Sequence, residues 1–410
     1  MSDAPHSAFS VFGIEIEYMI VDRDTLNVAP LSDKLLTAAH GELTQETEQG
    51  DIAWSNELAL HVIEVKTNGP TARLDAAVGN FQAALRHIHQ LLAPMNARLM
   101  STGAHPWMDP LKDTKLWPHG DDEIYMAFDR IFGCQGHGWS NLQSMHINLP
   151  FADDAEFGKL HAAIRAVLPI LPALAASTPF LDGRATGFAD ARVDTYAKNQ
   201  IRIPSITGRV IPEPVRSHDE YQNVILEPMY RAIRPEDPLG ILQFEWLNSR
   251  GAIARFDRNA IEIRLIDTQE QPGADLAIAA LVVATIERLY RGPAAMLDAA
   301  DAIDTDELAR ILKACVQLGE RAPIDNADYR RVLGAPDART GQDVWRALAN
   351  LSAPKLVPHD DALDVLLTDG TLATRLLRDV GARVDAKSLK KTYARLCDCL
   401  AHGRMFRAAA

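Results

Sequence analysis

An α+β fold built around an antiparallel sheet is what this sequence predicts, and two observations carry that reading. Several short stretches alternate apolar residues with polar ones, as strands do when only one sheet face packs on a core. Behind them, from about residue 274 to 410, the chain is alanine- and leucine-rich with helical character. No repeat, low-complexity tract or linker interrupts it. Residues 1–410 therefore read as a single domain, with the sheet and its site mainly over 12–270 and a helical C-terminal part over 274–410.

Residues 12–22 predict the first strand. Ile14 and Ile16 point one way and Glu15 and Glu17 the other, so two like charges share a face. Ser32 to Ala39 predicts a short helix with Ser32 as N-cap. Asn56 to Thr67 is β-branched and strand-like, and ends at the breaker Asn68-Gly69-Pro70. Glu57 and Glu64 are seven apart, an odd step, so either a bulge intervenes or Glu57 lies off the strand. Residues 72–95 have helical spacing through Leu74, Val78, Phe81, Leu85, Ile88 and Leu92. Leu99 to Thr102 predicts another strand, followed by a loop over 103–107.

Gly133 to Ser140 is glycine-rich but precedes a strand rather than a helix, which makes it a flap and not a phosphate loop. The strand Ser144 to Pro150 sets His146 and Asn148 opposite Met145, Ile147 and Leu149. One helix is expected across 154–175. The stretch 180–218 is long, proline-rich and aperiodic, and its length together with Arg184, Arg192, Arg202, Arg209 and Arg216 points to function. Ala260 to Ile266 is the last clear strand, with Glu262 and Arg264 on one face and Asp267 an odd step beyond.

Composition bounds the chemistry. With 410 residues, 47% hydrophobic and 24% charged, the chain can bury a full core. A formal net charge of −13 argues against a nucleic-acid or anionic-membrane surface. Four scattered cysteines make no disulfide framework, and Cys397-Asp398-Cys399 reads as helix packing. Met1 to Ser10 shows neither the basic nor the apolar region of a leader, and no run approaches eighteen apolar residues, so a cytoplasmic protein is expected. Pooled on one sheet face, Glu15, Glu17, Glu57, Glu64, His146 and Glu262 would form an oxygen-rich ligand set suited to Mg²⁺ or Mn²⁺. Arg264 reads either as the ion-pair partner of Glu262 or as a fixed cation for phosphate or carboxylate. Neither a GxxxxGK[ST] nor a GxGxxG loop is present.

These motifs, in this order, resemble glutamate–cysteine ligase family 2, the carboxylate–amine ligases related in fold to glutamine synthetase. The resemblance runs from about residue 12 to 290. Gly13-Ile14-Glu15-Ile16-Glu17 matches the opening GxExE; Thr25-Leu26 and Pro30 through Leu35 are similar to the segment after it. Asn56-Glu57 to Thr67 is similar to the E-x6-E strand, and Thr102-Gly103-Ala104-His105-Pro106 to a GTHP loop. Met145 to Pro150 stands where the family has HVHVGVP. Thr178 to Phe188, with Arg192 following, is similar to SPF..GR.TG, and Ala260 to Asp267 matches TVEVRxxD. Ser144 replaces the family's first histidine, Asn148 its glycine, and Asn248 the aspartate of WDxR, departures that bear on the acceptor pocket.

The resemblance implies a glutamine synthetase-like catalytic domain whose sheet forms a funnel. ATP would enter one end and an amino acid the other, with Mg²⁺ (or Mn²⁺) between. Glutamate's γ-carboxylate would be activated as an acyl phosphate and joined to an amine, first of all L-cysteine, with a different amine or amino acid as the alternative. It further implies Glu15, Glu17, Glu57, Glu64, His146 and Glu262 as metal ligands, and Arg264, Glu57 and Glu262 as catalytic residues. Arg264, Arg184 and Arg192 would contact ATP, and Arg184, Arg192, His146 and Asn148 the substrates. The expected partners are small molecules only, and the family admits a homodimer. A reading from another class is a nucleotide- and metal-binding regulatory protein without turnover.

Overall fold

In a computed structural model the described residues are 5–120 and 122–409. Among the described residues ten strands occur in chain order: β1 Gly13–Asp22, β2 Glu46–Gln49, β3 Ile52–Asn56, β4 Val62–Thr67, β5 Ala97–Met100, β6 Ser144–Pro150, β7 Phe180–Leu181, β8 Arg184–Ala185, β9 Ala252–Arg255 and β10 Ala260–Asp267. Eight form one antiparallel sheet in the order β2-β3-β4-β1-β6-β10-β9, with β5 also paired to β1. The first strand read from the sequence is thus the sheet's centre. Its edge facing β6 over Gly13–Ile16 is taken over by β5 over Met19–Asp22. Strands β7 and β8 make a separate small hairpin.

One face of the sheet is apolar throughout. Ile14, Ile16, Tyr18 and Ile20 of β1 are fully buried there, with Ile63, Val65, Met145, Ile147 and Ile263 beside them. The helices Leu74–Leu92, Asp154–Val167 and Pro272–Tyr290 cover that face. The last is apolar on every side because it runs between the other two and the helix Gly341–Leu356. The opposite face changes character along β1. Its side chains are carboxylates at Glu15 and Glu17, but Met19 and Val21 farther on are buried under the helices Leu372–Val380 and Ala386–His402. The C-terminal helices thereby close one end of the polar face. Among the described residues no helix is long and apolar enough to cross a membrane.

The structure corrects several expectations. The stretch 56–67 is not one strand: β3 ends at Asn56, and the link before β4 turns its hydrogen bonds to another segment, with Leu60 N–H donating to the Lys115 carbonyl and Trp117 N–H to that of Leu58. Strand β2, unread in the sequence, forms a hairpin with β3 across Gly50-Asp51, where Gly50 takes the positive φ of 69° that the tight turn requires. Ser32 begins its helix instead of capping it, and its buried hydroxyl has no partner. The helix expected over 154–175 stops at Val167, because Pro169 and Pro172 cannot continue the ladder. Gly133 to Ser140, expected as a flap, ends in a one-turn helix at His137–Ser140 that is hydrogen-bonded to Asn141, Asp182 and Asn199.

Candidate active site

Antiparallel register is what gathers the polar residues. Glu15 lies between Lys66 of β4 and His146 of β6, Glu17 lies opposite Glu64, and Glu262 opposite Asn148. Directly paired side chains on one face stand about 5 Å apart, so each strand brings its ligands to its neighbour's. Glu57 lies off the strand, just past the end of β3, which resolves the odd seven-residue step.

The six residues separate into two triads. Oxygens and nitrogens of Glu15, His146 and Glu262 lie within 4.8 Å of one another, and so do those of Glu17, Glu57 and Glu64. In the first triad His146 Nδ1 is 3.1 Å from Glu15 Oε2 and 3.5 Å from Glu262 Oε1. Burial would raise the Glu15 pKa, but the hydrogen bond and charge of His146, with Lys66 and Arg264, hold it down to about 2. Burial likewise opposes the proton on His146, yet the surrounding glutamates raise its pKa. In the second triad burial and the neighbouring carboxylates push Glu64 up to about 7 and Glu57 well above the carboxylate range. Lys66, whose Nζ is 3.1 Å from Glu64 Oε1 and 2.8 Å from Glu46 Oε2, is the cation that meets this triad.

Three carboxylates with one shared lysine are an electrostatic surplus that a divalent cation would relieve. The donor set of five carboxylates and one imidazole, with no thiolate, fits Mg²⁺ or Mn²⁺. Supporting contacts aim the ligands. Ser144 donates from its backbone N–H to Glu17 Oε2 at 2.6 Å, and its hydroxyl lies 2.9 Å from His146 Nε2. The Ser55 hydroxyl donates to Glu64 Oε1 at 2.9 Å. The departures Ser144 and Asn148 therefore act on the ligand cluster: Asn148 donates to Glu15 Oε1 at 3.1 Å and does not line the cleft below. Asn248 is buried against Tyr221 and Arg250 and also stays out of the cleft.

A cleft of about 500 Å³ opens from the second triad. Its floor carries Glu17, Glu57, Ser144 and His146, with Arg192, Arg255 and Arg264 as its cations. Arg264 Nε is 2.6 Å from Glu262 Oε1, so it pairs with Glu262, and it also lines the cleft. Arg192 is 2% exposed; its Nε donates to Asp267 and its two terminal nitrogens to the Arg264 carbonyl. Asp267 reaches this network because β10 carries one extra residue between Ile263 and Ile266, which returns Asp267 to the face of Glu262 and pairs it with Ser144. It also accepts from Ser177 N–H at 2.7 Å and the Thr178 hydroxyl at 3.0 Å.

Other arginines of the long loop stand elsewhere. Arg184, expected to contact ATP and substrate, has a side chain 78% exposed, lies beside Asp182 on the β7–β8 hairpin and does not line the cleft. Arg209 pairs with Asp306 and Arg216 with Asp301, at contacts remote in sequence from either triad. Cys134 is buried, and burial with the nearby Asp129 carboxylate pushes its thiol up to about 12, against thiolate formation.

Sequence reasoning missed Lys66, Arg255 and the cleft's aromatic residues. Lys66 was legible, since it stands two residues beyond Glu64 and so on its face. Arg255 was hidden in a four-residue strand, and Phe128, Trp139 and Trp246 come from three unrelated short segments with no common spacing.

A family model, glutamate–cysteine ligase family 2, matches residues 11–394. An uncharacterized protein from Archaeoglobus fulgidus is 36% identical over 278 residues, which cover 67% of this chain and 74% of that one. Among solved structures, a glutamate–cysteine ligase from Francisella tularensis in complex with AMP superposes with a TM-score of 0.59 at 13% identity, over 98% of this chain and 90% of that one. A bifunctional glutathione synthetase from Pasteurella multocida does so with a TM-score of 0.53 at 13% identity, over 95% of this chain; this chain spans 53% of that protein. The expected α+β architecture is therefore a fold shared with a solved ligase of this kind. The chain belongs to glutamate–cysteine ligase family 2, the ATP-dependent carboxylate–amine ligases.

Proposed function

We propose that this protein uses ATP and Mg²⁺ to activate the γ-carboxylate of glutamate as an acyl phosphate and join it to an amine. The observation that carries this reading is the pair of ligand triads on one sheet face, with Arg264 at the edge of the first and the cleft opening from the second. Phosphoryl transfer between two anions needs positive charge between them. Divalent cations held by Glu15, His146 and Glu262 and by Glu17, Glu57 and Glu64 would supply most of it. Arg264, oriented by Glu262 and by the hold of Arg192 on its carbonyl, would neutralise the oxygens of the transferring group. Lys66 keeps Glu64 in place from the strand side. L-Cysteine is the reference acceptor because the family carries its name. The reading takes the chain as one ligase unit working in the cytoplasm, where ATP is at hand.

The test is ADP release by the purified protein with Mg²⁺, ATP and L-glutamate, with and without an amine. Release that requires both glutamate and an amine is expected. ATP-dependent thermal stabilisation without release under any pairing would refute turnover and favour a nucleotide-binding regulatory protein.

A further inference from the structure

The cleft has a wall as well as a floor. Phe128 from the helix Asp122–Phe132, Trp139 from the one-turn helix His137–Ser140, and Trp246 from the turn Glu245–Leu247 bring their rings together. Phe128 is 5.0 Å from Trp139 and 5.8 Å from Trp246 between ring centres, and Trp246 stacks on Phe244 at 5.6 Å. All three lining rings are partly buried and keep some surface on the cleft that holds Glu17 and Glu57. Three large aromatic rings bordering the cleft beside a charged floor are the composition of a ligand pocket, with the wall suited to an apolar, ring-sized group.

Which substrate brings that group follows from connectivity. The attacking nitrogen must come within about 3–3.5 Å of the activated carbonyl, so the acceptor's own substituent lies in this cleft. Adenine is separated from the reacting phosphorus by a ribose and two further phosphates and has no such requirement. A thiol on a single methylene would leave the rings exposed. We infer that the acceptor is a primary amine carrying an aromatic ring, seated against Phe128, Trp139 and Trp246. This rests on the ligase reading above. In the step itself the amine nitrogen forms the C–N bond, the C–O bond to phosphate breaks with its electron pair leaving on inorganic phosphate, and the nitrogen releases one proton.

The experiment has a kinetic arm and a binding arm. With ATP and glutamate fixed, kcat/KM is measured for methylamine, L-cysteine and phenethylamine; phenethylamine is expected to lead by tenfold or more. Without ATP or glutamate, calorimetry with phenethylamine and separately with AMP is run on the wild type, Trp246→Ala and Phe128→Leu, the last of which keeps apolar volume while removing a ring. Both variants are expected to weaken phenethylamine about tenfold and AMP little. Preference for cysteine or methylamine overturns the inference. So does a tenfold loss of AMP affinity with phenethylamine unaffected, which would make the wall a surface for the base. Ring-dependent phenethylamine binding with no ADP release under any pairing keeps the aromatic subsite and refutes the ligase reading alone.

Discussion

Replacing Arg192 by methionine tests how the site is held. The Arg192 guanidinium and the Asp267 carboxylate are 2% and 0% exposed in their side chains, so both charges are out of water. Ser177 and Thr178 give Asp267 neutral donors, but Arg192 is the cation against it. Removing one member of such a pair leaves the other buried and uncompensated, at a loss of about 3–5 kcal/mol. That is a large share of the roughly 5–15 kcal/mol by which a folded domain exceeds its unfolded state. The same change frees the Arg264 carbonyl, which Arg192 grips at 3.3 and 3.4 Å, and lets the Arg264 guanidinium drift; under the proposed function, displacement of about 1 Å lowers turnover about a hundredfold. Urea unfolding and ADP release measure the two effects. The double variant Arg192→Met with Asp267→Leu separates them, because an apolar pair removes the stranded charge. Stability should recover part of the loss, held short of the wild type by the Ser177 and Thr178 donors that Asp267 no longer accepts from, while turnover stays low. A single variant within about 1 kcal/mol of the wild type, or a double variant that regains full turnover, would refute the account.

Two further outcomes follow from the same geometry. Glu57→Gln removes one of three carboxylates crowded within 4.8 Å, so the metal-free protein should gain on the order of 1 kcal/mol in unfolding free energy; in the same thermal-shift series its Mg²⁺ affinity should fall at least about tenfold. His161 is buried with neither ring nitrogen partnered, and burial, with Arg165, Arg216 and Arg250, depresses its pKa from 6.5 to about 3. Below 6.5 the unfolded chain takes a proton that the fold refuses, so this stability is whole above 6.5 and is lost as pH falls toward 3. The loss runs at up to about 1.4 kcal/mol per pH unit. His161→Phe should flatten the pH dependence of urea unfolding between pH 6.5 and 4 by about one proton; parallel curves for the two proteins would contradict it.

Local rules reached much of this molecule. Period-two alternation identified β1, β6 and β10, and with them Glu15, Glu17, His146, Glu262 and Arg264, because a side chain's face depends only on the parity of its position. The same rule would have found Lys66 from Glu64. It failed where the chain broke parity: Glu57 sits past a strand end, and the bulge in β10 turns Asp267 back to the site. Arginine content in the long loop was a weak guide, since Arg192 enters the site while Arg184 remains on the surface with Asp182.

What the sequence by itself determined was which face of β1, β6 and β10 carries Glu15, Glu17, His146 and Glu262, since a side chain's face is a property of a single strand. The tertiary structure alone decided how those faces add up. Strand order puts β4, β1, β6 and β10 side by side, and their registers, with the segment after β3 that carries Glu57, divide the six residues into two triads. Packing of the C-terminal helices on Met19 and Val21 ends the polar face. The aromatic wall is the extreme case, since its rings come from residues 128, 139 and 246. No local periodicity relates residues so far apart in the chain; only the burial of the segments that carry them brings them together.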